Sequence, residues 1–390
     1  MVIINAVLHP MQRATIEAGF LRIAGGKIQA LGAMADYVPR DGEQVLDAAG
    51  CVLTPGLVDV HSHLGMIENA LGFEGDDVNE ITDPCTPHLR AIDGVNPLDR
   101  CFAEALAAGV TTVVTSPGSA NPVGGQAAAI KTWGRRIDDM ILKAPAAMKF
   151  ARGENPKSCY NDRDEAPVTR MATAAIIREA LFKAREYLQK QTRAAADPDV
   201  DAPEFDMKCE ALVPVLRRQV QAHFHAHRAD DIFTAVRIAR EFGLDYVIVH
   251  GTEAHLVADL LAQEGARVIT GPSLGDRGKP ELANLSFATP GVLNRAGVLC
   301  SICTDHPETP LPYLPLCAAL AVKSGMAEEE ALRAITWYPA RIAGLDGRVG
   351  SLAPGLDADL VLWSEFPLHL SAAVRAVMVA GEWVVGGNTR

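Results

Sequence analysis

Residues 57–65 read LVDVHSHLG. Leu57, Val58 and Val60 have the composition of a buried strand, yet the run closes on two imidazoles, His61 and His63. Side chains two apart on a strand share a face, so both rings project from the same side at its C-terminal end. A half-buried strand needs only one apolar face, and neutral imidazole is a common ligand of divalent cations. The fold therefore turns on what else lies at the ends of similar runs.

Seven more apolar, β-rich runs follow: TTVVT (111–115), QAAAIK (126–131), AAMKF (146–150), QVQAHFH (219–225), YVIVH (246–250), RVIT (267–270) and LCSICT (299–304). Between them stand PLDRCFAEALAAG, TRMATAAIIREALFKAREYLQK, DIFTAVRIAREFG and EAHLVADLLAQEG, with apolar residues at three- and four-residue spacing, the mark of amphipathic helices. Three of these end at a glycine suited to a left-handed C-cap. Strands alternating with helices signal a parallel sheet, and eight of them over this length predict a closed (β/α)8 TIM-like barrel of the α/β class. Cys300 and Cys303 form a CxxC inside VLCSIC, but no second pair stands near, so a buried strand accounts for them better than a redox or zinc motif.

The chain ends have a different character. FLRIAGGKIQALG and QVLDAAGCVLTPG near the start, and DLVLW and AVMVAGEWVV near the finish, read as short strands broken by glycine turns. Isolated hairpins are marginal in water, so the two ends are expected to pair into one small β-sandwich domain. The predicted organisation is 1–54 and 351–390 in that sandwich and 55–350 in the barrel. The connection 157–218, polar and proline-bearing in RAAADPDVDAPEFDMK, is expected to be an excursion over the barrel mouth.

Composition narrows the function. The chain is 48% hydrophobic and 22% charged, an ordinary globular balance, and its net charge of -12 argues against nucleic acid or an anionic membrane as partner. A small-molecule substrate fits better, with a homo-oligomer left open. No run approaches the about 20 apolar residues of a spanning helix, the N-terminus has no signal-peptide pattern, and the eight cysteines are scattered, which together suit a cytoplasmic protein with reduced thiols.

In a barrel of this kind catalytic groups come from the C-terminal ends of the strands. Those ends carry His61 and His63, Lys149, His225, His250 and, after the eighth strand, Asp305. Imidazole and carboxylate are usual ligands of zinc and similar cations, and chance rarely places so many at strand ends of one barrel. Lys149 is open to two readings: its amine carboxylated by carbon dioxide into an anionic ligand bridging two metals, or paired with Glu154 or a substrate acid. Glu154 is also an alternative acidic ligand.

TPGLVDVHSHLG, GVTTVVTSPGS, HAHRADDI, VHGTEAH, CTDHP and GSLAPGLDADLVLW together resemble the amidohydrolase superfamily, nearest to its imidazolonepropionase-like branch. The resemblance implies a distorted barrel with a sandwich from both chain ends. It implies that His61, His63 and Asp305 hold one divalent metal, most simply zinc, that His225 and His250 hold a second, and that Lys149 bridges them as a carbamate. Such a metal lowers the pKa of water toward 7 and polarises a carbonyl, while Asp305, as general acid/base, moves the proton to a leaving nitrogen. The implied reaction is hydrolysis of an amide or cyclic amide C–N bond.

Two departures bear on this. Adenosine-deaminase-like members place a glutamate shortly after the fifth-strand histidine, where this chain has His225-Ala226-His227-Arg228; imidazolonepropionases use one metal and need no fourth-strand lysine. A mononuclear imidazolonepropionase-like or deaminase-type hydrolase is the alternative, and a non-catalytic scaffold is disfavoured by the full ligand set. Asn121, His227, Arg228, Lys279 and His306 are the candidates for binding substrate, while His9, His88, His223, His255 and His369 read as structural. The acidic loop FEGDDVNEITD (73–83) reads as solvated.

Overall fold

The strand that carries the two histidines is the first of eight in one sheet: Leu57–Ser62, Val110–Thr115, Val123–Lys131, Ile141–Ala151, Gln221–Ala226, Tyr246–His250, Arg267–Thr270 and Leu299–Ile302. The computed structural model describes residues 1–69 and 71–387, so the last three positions of the expected C-terminal segment lie outside the described residues. The eight strands are hydrogen-bonded neighbours in chain order. The first and eighth meet just past their ends, where Asp305 N–H donates to the His61 carbonyl (3.2 Å) and His63 N–H to the His306 carbonyl (2.8 Å). Closure of the barrel and assembly of the site are thus one event.

The barrel departs from the expected all-parallel order at its third strand. Val123–Lys131 runs antiparallel to both neighbours, whereas the other pairs along the sheet are parallel. The reason is length: residues 116–122 join the second and third strands, and a parallel crossover needs about a dozen residues or more. Reversal makes the third strand begin at the mouth, so the glycine-rich 116–125 segment lies beside the first strand's histidines.

Helices cover the outer wall. Ala229–Phe242 turns Ile232, Ala235, Val236 and Phe242 onto the barrel and ends at Gly243, whose φ of 67° is the predicted left-handed cap. The 157–218 connection is a second correction. It contains the helices Arg170–Ala196 and Met207–Leu216, started by side-chain caps from Thr169 and Asp206. Ile177, Leu181 and Leu212 share one core with Met148, Phe150 and Phe224 of the fourth and fifth strands. That apolar stripe holds these helices on the wall, while the preceding helix Glu154–Asn161 meets the mouth loops through Tyr160, whose hydroxyl donates to Asn121 Oδ1 at 2.8 Å, and Lys208 at the start of Met207–Leu216 donates to Asp83.

Both chain ends form a second sheet, as expected. Its path runs Glu382–Val385, Val374–Val379, Leu360–Trp363, Val52–Pro55, Val2–Leu8, Ile16–Ala24, Lys27–Ala33, with Val45–Asp47 beside Val2–Leu8. The seam is the antiparallel pair Val52–Pro55 with Leu360–Trp363. Only Gly56 separates this sheet from the first barrel strand, and a Cβ there would stand 2.0 Å from Thr111 Oγ1. Among the described residues no helix is long and apolar enough to cross a membrane.

Candidate metal centre

Asp59, fully buried on the first strand, accepts from His61 N–H at 3.0 Å, Thr304 N–H at 2.8 Å and Thr304 Oγ1 at 2.6 Å. One carboxylate therefore sets the backbone that presents both His61 and Asp305. Asp305 and His250 themselves have φ of 54° and 76°, a left-handed conformation costing about 1–3 kcal/mol for a residue with a Cβ. The fold maintains that strain at two of the strand ends singled out from the sequence.

The first cluster is His61, His63 and Asp305. Asp305 Oδ1 lies 3.0 Å from His61 Nε2 and 3.3 Å from His63 Nε2. His63 Nδ1 donates to the Ser116 carbonyl at 2.6 Å, which places its proton there and leaves the Nε2 lone pair toward Asp305. The fully buried Lys149 reaches the same point, with Nζ 3.2 Å from His61 Nε2, and burial pushes its ammonium down to about 8.

The second cluster is His225, His227 and His250, whose donor atoms all lie within 4.8 Å of one another. His250 Nδ1 donates to the Gly271 carbonyl at 2.7 Å, and His227 Nδ1 meets Thr252 Oγ1 at 2.7 Å, so each turns Nε2 inward. The His250 ring is 4.4 Å from that of His225 and 5.2 Å from that of His61, which makes the two clusters adjacent. His227, expected among the substrate contacts, stands within this triad.

Burial keeps His61, His225, His227 and His250 neutral. It lowers His61 to about 3 and His227 to about 4, and drives His225 and His250 well below the usual histidine range. Neutral rings are the form that ligates metal. Both ring nitrogens of His225, Asp305 Oδ1 and Glu281 Oε1 are buried with no hydrogen-bond partner, and each such atom costs about 1–3 kcal/mol if nothing meets it. Ligands at about 2.0–2.1 Å around a tetrahedral ion stand about 3.3 Å apart, close to the Asp305–histidine separations. The donors fit a divalent cation in each cluster.

The other sequence candidates are placed as follows. Asn121 donates to the Glu80 carbonyl (2.6 Å) and Thr86 Oγ1 (3.0 Å), so its amide joins the mouth loops. Arg228 forks onto Asp230 with both distances 3.0 Å, and its side chain is 45% exposed. His306 Nδ1 accepts from Leu311 N–H at 3.2 Å, leaving a buried, unpartnered Nε2. Lys279 Nζ donates to Asn155 Oδ1 at 2.8 Å. Glu154 stands outside both clusters, its Oε2 accepting from Glu281 N–H at 3.4 Å. Sequence reasoning missed Glu281 itself, which is 1% exposed and faces the second cluster from the loop after the seventh strand. The clue was that the seventh strand end was left without an assigned polar group.

Comparison with known proteins agrees with this architecture. The sequence model of the amidohydrolase family matches residues 52–384. A solved amidohydrolase from Thermotoga maritima MSB8 is 42% identical, covering 99% of each chain with a TM-score of 0.95. Amidohydrolase tasK from Hapsidospora irregularis is 33% identical over 94% of this chain, which spans only 39% of that relative's length. Imidazolonepropionase from Acidiphilium cryptum is 26% identical, with 90% of this chain and 88% of the relative covered.

Proposed function

This chain belongs to the amidohydrolase family, and on that premise we propose that it is a metal-dependent hydrolase cleaving an amide or cyclic amide C–N bond of a small molecule. The observation that carries the reading is the pair of adjacent, buried donor clusters at the barrel mouth. A bound divalent cation, for which zinc suits the ligand set, lowers the pKa of water from about 15.7 toward 7 and polarises a carbonyl oxygen.

The chain's own groups supply the rest. Asp305, held between His61 and His63 by its Oδ1, accepts the proton of the attacking water and returns it to the leaving nitrogen, so that the amine departs neutral. His63 and His250 are kept in one tautomer by the Ser116 and Gly271 carbonyls. Lys149, whose Nζ lies 3.2 Å from His61 Nε2, would supply an anionic oxygen ligand if carbon dioxide carboxylates its amine with release of a proton. His306, Lys279 and Arg228 are the groups for binding substrate, and N-acyl amino acids, dipeptides and small cyclic amides are the classes to screen. The imidazolonepropionase relatives support a second reading, a hydrolase working on one ion.

Elemental analysis tests both. The expected result is about two divalent ions per chain, with a lower content in Lys149→Ala that short-chain carboxylic acids restore. One ion per chain, unaffected by that substitution, selects the mononuclear reading. Protein that stays metal-free after growth in zinc removes the hydrolase mechanism altogether.

A further inference from the structure

Glu281 combines deep burial with an unfinished carboxylate. Its Oε2 accepts from Glu154 N–H at 2.9 Å. The chain passes so close behind it that a Cβ on Gly153, whose φ is 89°, would stand 2.7 Å from that oxygen. The side chain is therefore fixed in place by its own surroundings. Its Oε1 has no hydrogen-bond partner.

What Oε1 faces is informative. His227 Nε2 lies 3.6 Å away, His225 Nε2 3.9 Å and Lys279 Nζ 3.9 Å. All are too long for hydrogen bonds. The two histidine distances approach the spacing of about 3.3–3.6 Å between ligand atoms that share a cation at about 2.0–2.2 Å. Lys279 is a loose, half-exposed ion-pair partner at 3.9 Å, and its hydrogen bond goes to Asn155 at 2.8 Å, so Oε1 is left without a hydrogen bond. A carboxylate that is 1% exposed with one oxygen unpartnered is costly unless a close cation meets that oxygen.

We propose that Glu281 is the acidic ligand of the second cluster, so that the second cation is held by His225, His227, His250 and Glu281 rather than by two histidines and a bridge alone. This rests on the metal-dependent reading above. It makes the second site a complete three-nitrogen, one-oxygen set with its own negative charge, and it gives the loop after the seventh strand a direct hold on the metal centre.

The test is metal stoichiometry and affinity, by elemental analysis and chelator competition with zinc, in the wild type, Glu281→Ala, Glu281→Gln and Glu281→Asp. Glu281→Ala and Glu281→Gln should lose about one ion per chain, or bind it at least about 10–100-fold more weakly, while the first ion is retained. Glu281→Asp should recover part of the affinity. Cobalt-substituted protein should show a visible spectrum altered in the second site only. Circular dichroism checks the fold, and if the alanine variant unfolds, the isosteric glutamine variant decides. Two ions bound with unchanged affinity and spectrum in Glu281→Gln overturn the proposal while leaving the hydrolase reading intact. A metal-free wild type overturns the hydrolase reading instead, so the two failures are distinct.

Discussion

Asp305 sits between two imidazoles on a strained backbone, and its substitution separates chemistry from structure. Asp305→Asn keeps the volume but removes the proton acceptor. Turnover should fall by about 10²–10⁴-fold with the far-ultraviolet circular dichroism unchanged; full activity on any substrate found in the amide screen would sink the general acid/base role. Asp59 acts one step back, since it accepts three hydrogen bonds that orient His61 and Thr304. Asp59→Asn turns one acceptor oxygen into a donor facing existing donors. A loss of about 1–3 kcal/mol is expected, with weaker metal binding in the first cluster and unchanged binding in the second. Equal weakening of both would show that Asp59 supports the barrel generally. At this scale the sequence was informative wherever a polar residue interrupted an apolar run of period two, as at His61, His63, Lys149, His225 and His250. Glu281 lies in the irregular loop GKPELANL, where a glutamate after a proline looks like an ordinary helix start, and no periodicity marks it as buried.

Elements show a sharper division. Hydrophobic alternation locates a strand without giving its direction, so the third strand was visible as a segment while its reversal was not. Only the short connector 116–122 carried that information. The long helix within 157–218 was legible from its apolar spacing, whereas Met207–Leu216 was not, and the docking of both on the wall depends on which barrel face bears Met148, Phe150 and Phe224. Two glycines at element ends give a paired prediction. At Gly243 a Cβ would meet nothing within 4 Å, so Gly243→Ala should cost only the left-handed φ penalty, about 1 kcal/mol, and leave activity unaltered. At Gly271, φ is 124° and a Cβ would stand 2.3 Å from the Cys303 carbonyl oxygen, while the Gly271 carbonyl holds His250. Gly271→Ala should therefore destabilise by more and also weaken the second metal ion. Thermal unfolding with metal titration compares them, and equal effects of the two substitutions would refute the argument.

On the scale of the molecule, the pairing of the chain ends was legible because neither end could bury a sheet face alone. The ion network that ties the two sheets together on the side away from the mouth was not, since its members are far apart in sequence. Asp357 is buried and is met by Lys27, by Lys131 Nζ at 3.0 Å and by Arg348 Nη2 at 2.8 Å, and Lys131 also pairs with Asp359. Lys27 belongs to the terminal sheet and Lys131 to the third barrel strand. Burial acts to raise the Asp357 carboxyl, but Arg348, Lys27 and Lys131 outweigh it and hold it well below the usual carboxylate range. A depressed folded-state pKa stabilises the protein above the unfolded value of about 3.9, and the contribution is lost as pH falls through the folded value. Removing one member of a buried ion pair costs about 3–5 kcal/mol; with Lys27 39% and Arg348 50% exposed, about 2 kcal/mol is the expected loss for Asp357→Asn at pH 7. That difference should hold down to about pH 5 and shrink steadily below about pH 4, where the unfolded wild-type chain begins to protonate the same carboxyl while the folded one stays ionised. Denaturant unfolding of chelator-treated protein from pH 7 to pH 3 measures it without interference from metal binding. A difference that stays constant through pH 3, or that grows on acidification, would mean that the charge on Asp357 is not what joins the two sheets, and that the seam between Val52–Pro55 and Leu360–Trp363 carries the junction by itself.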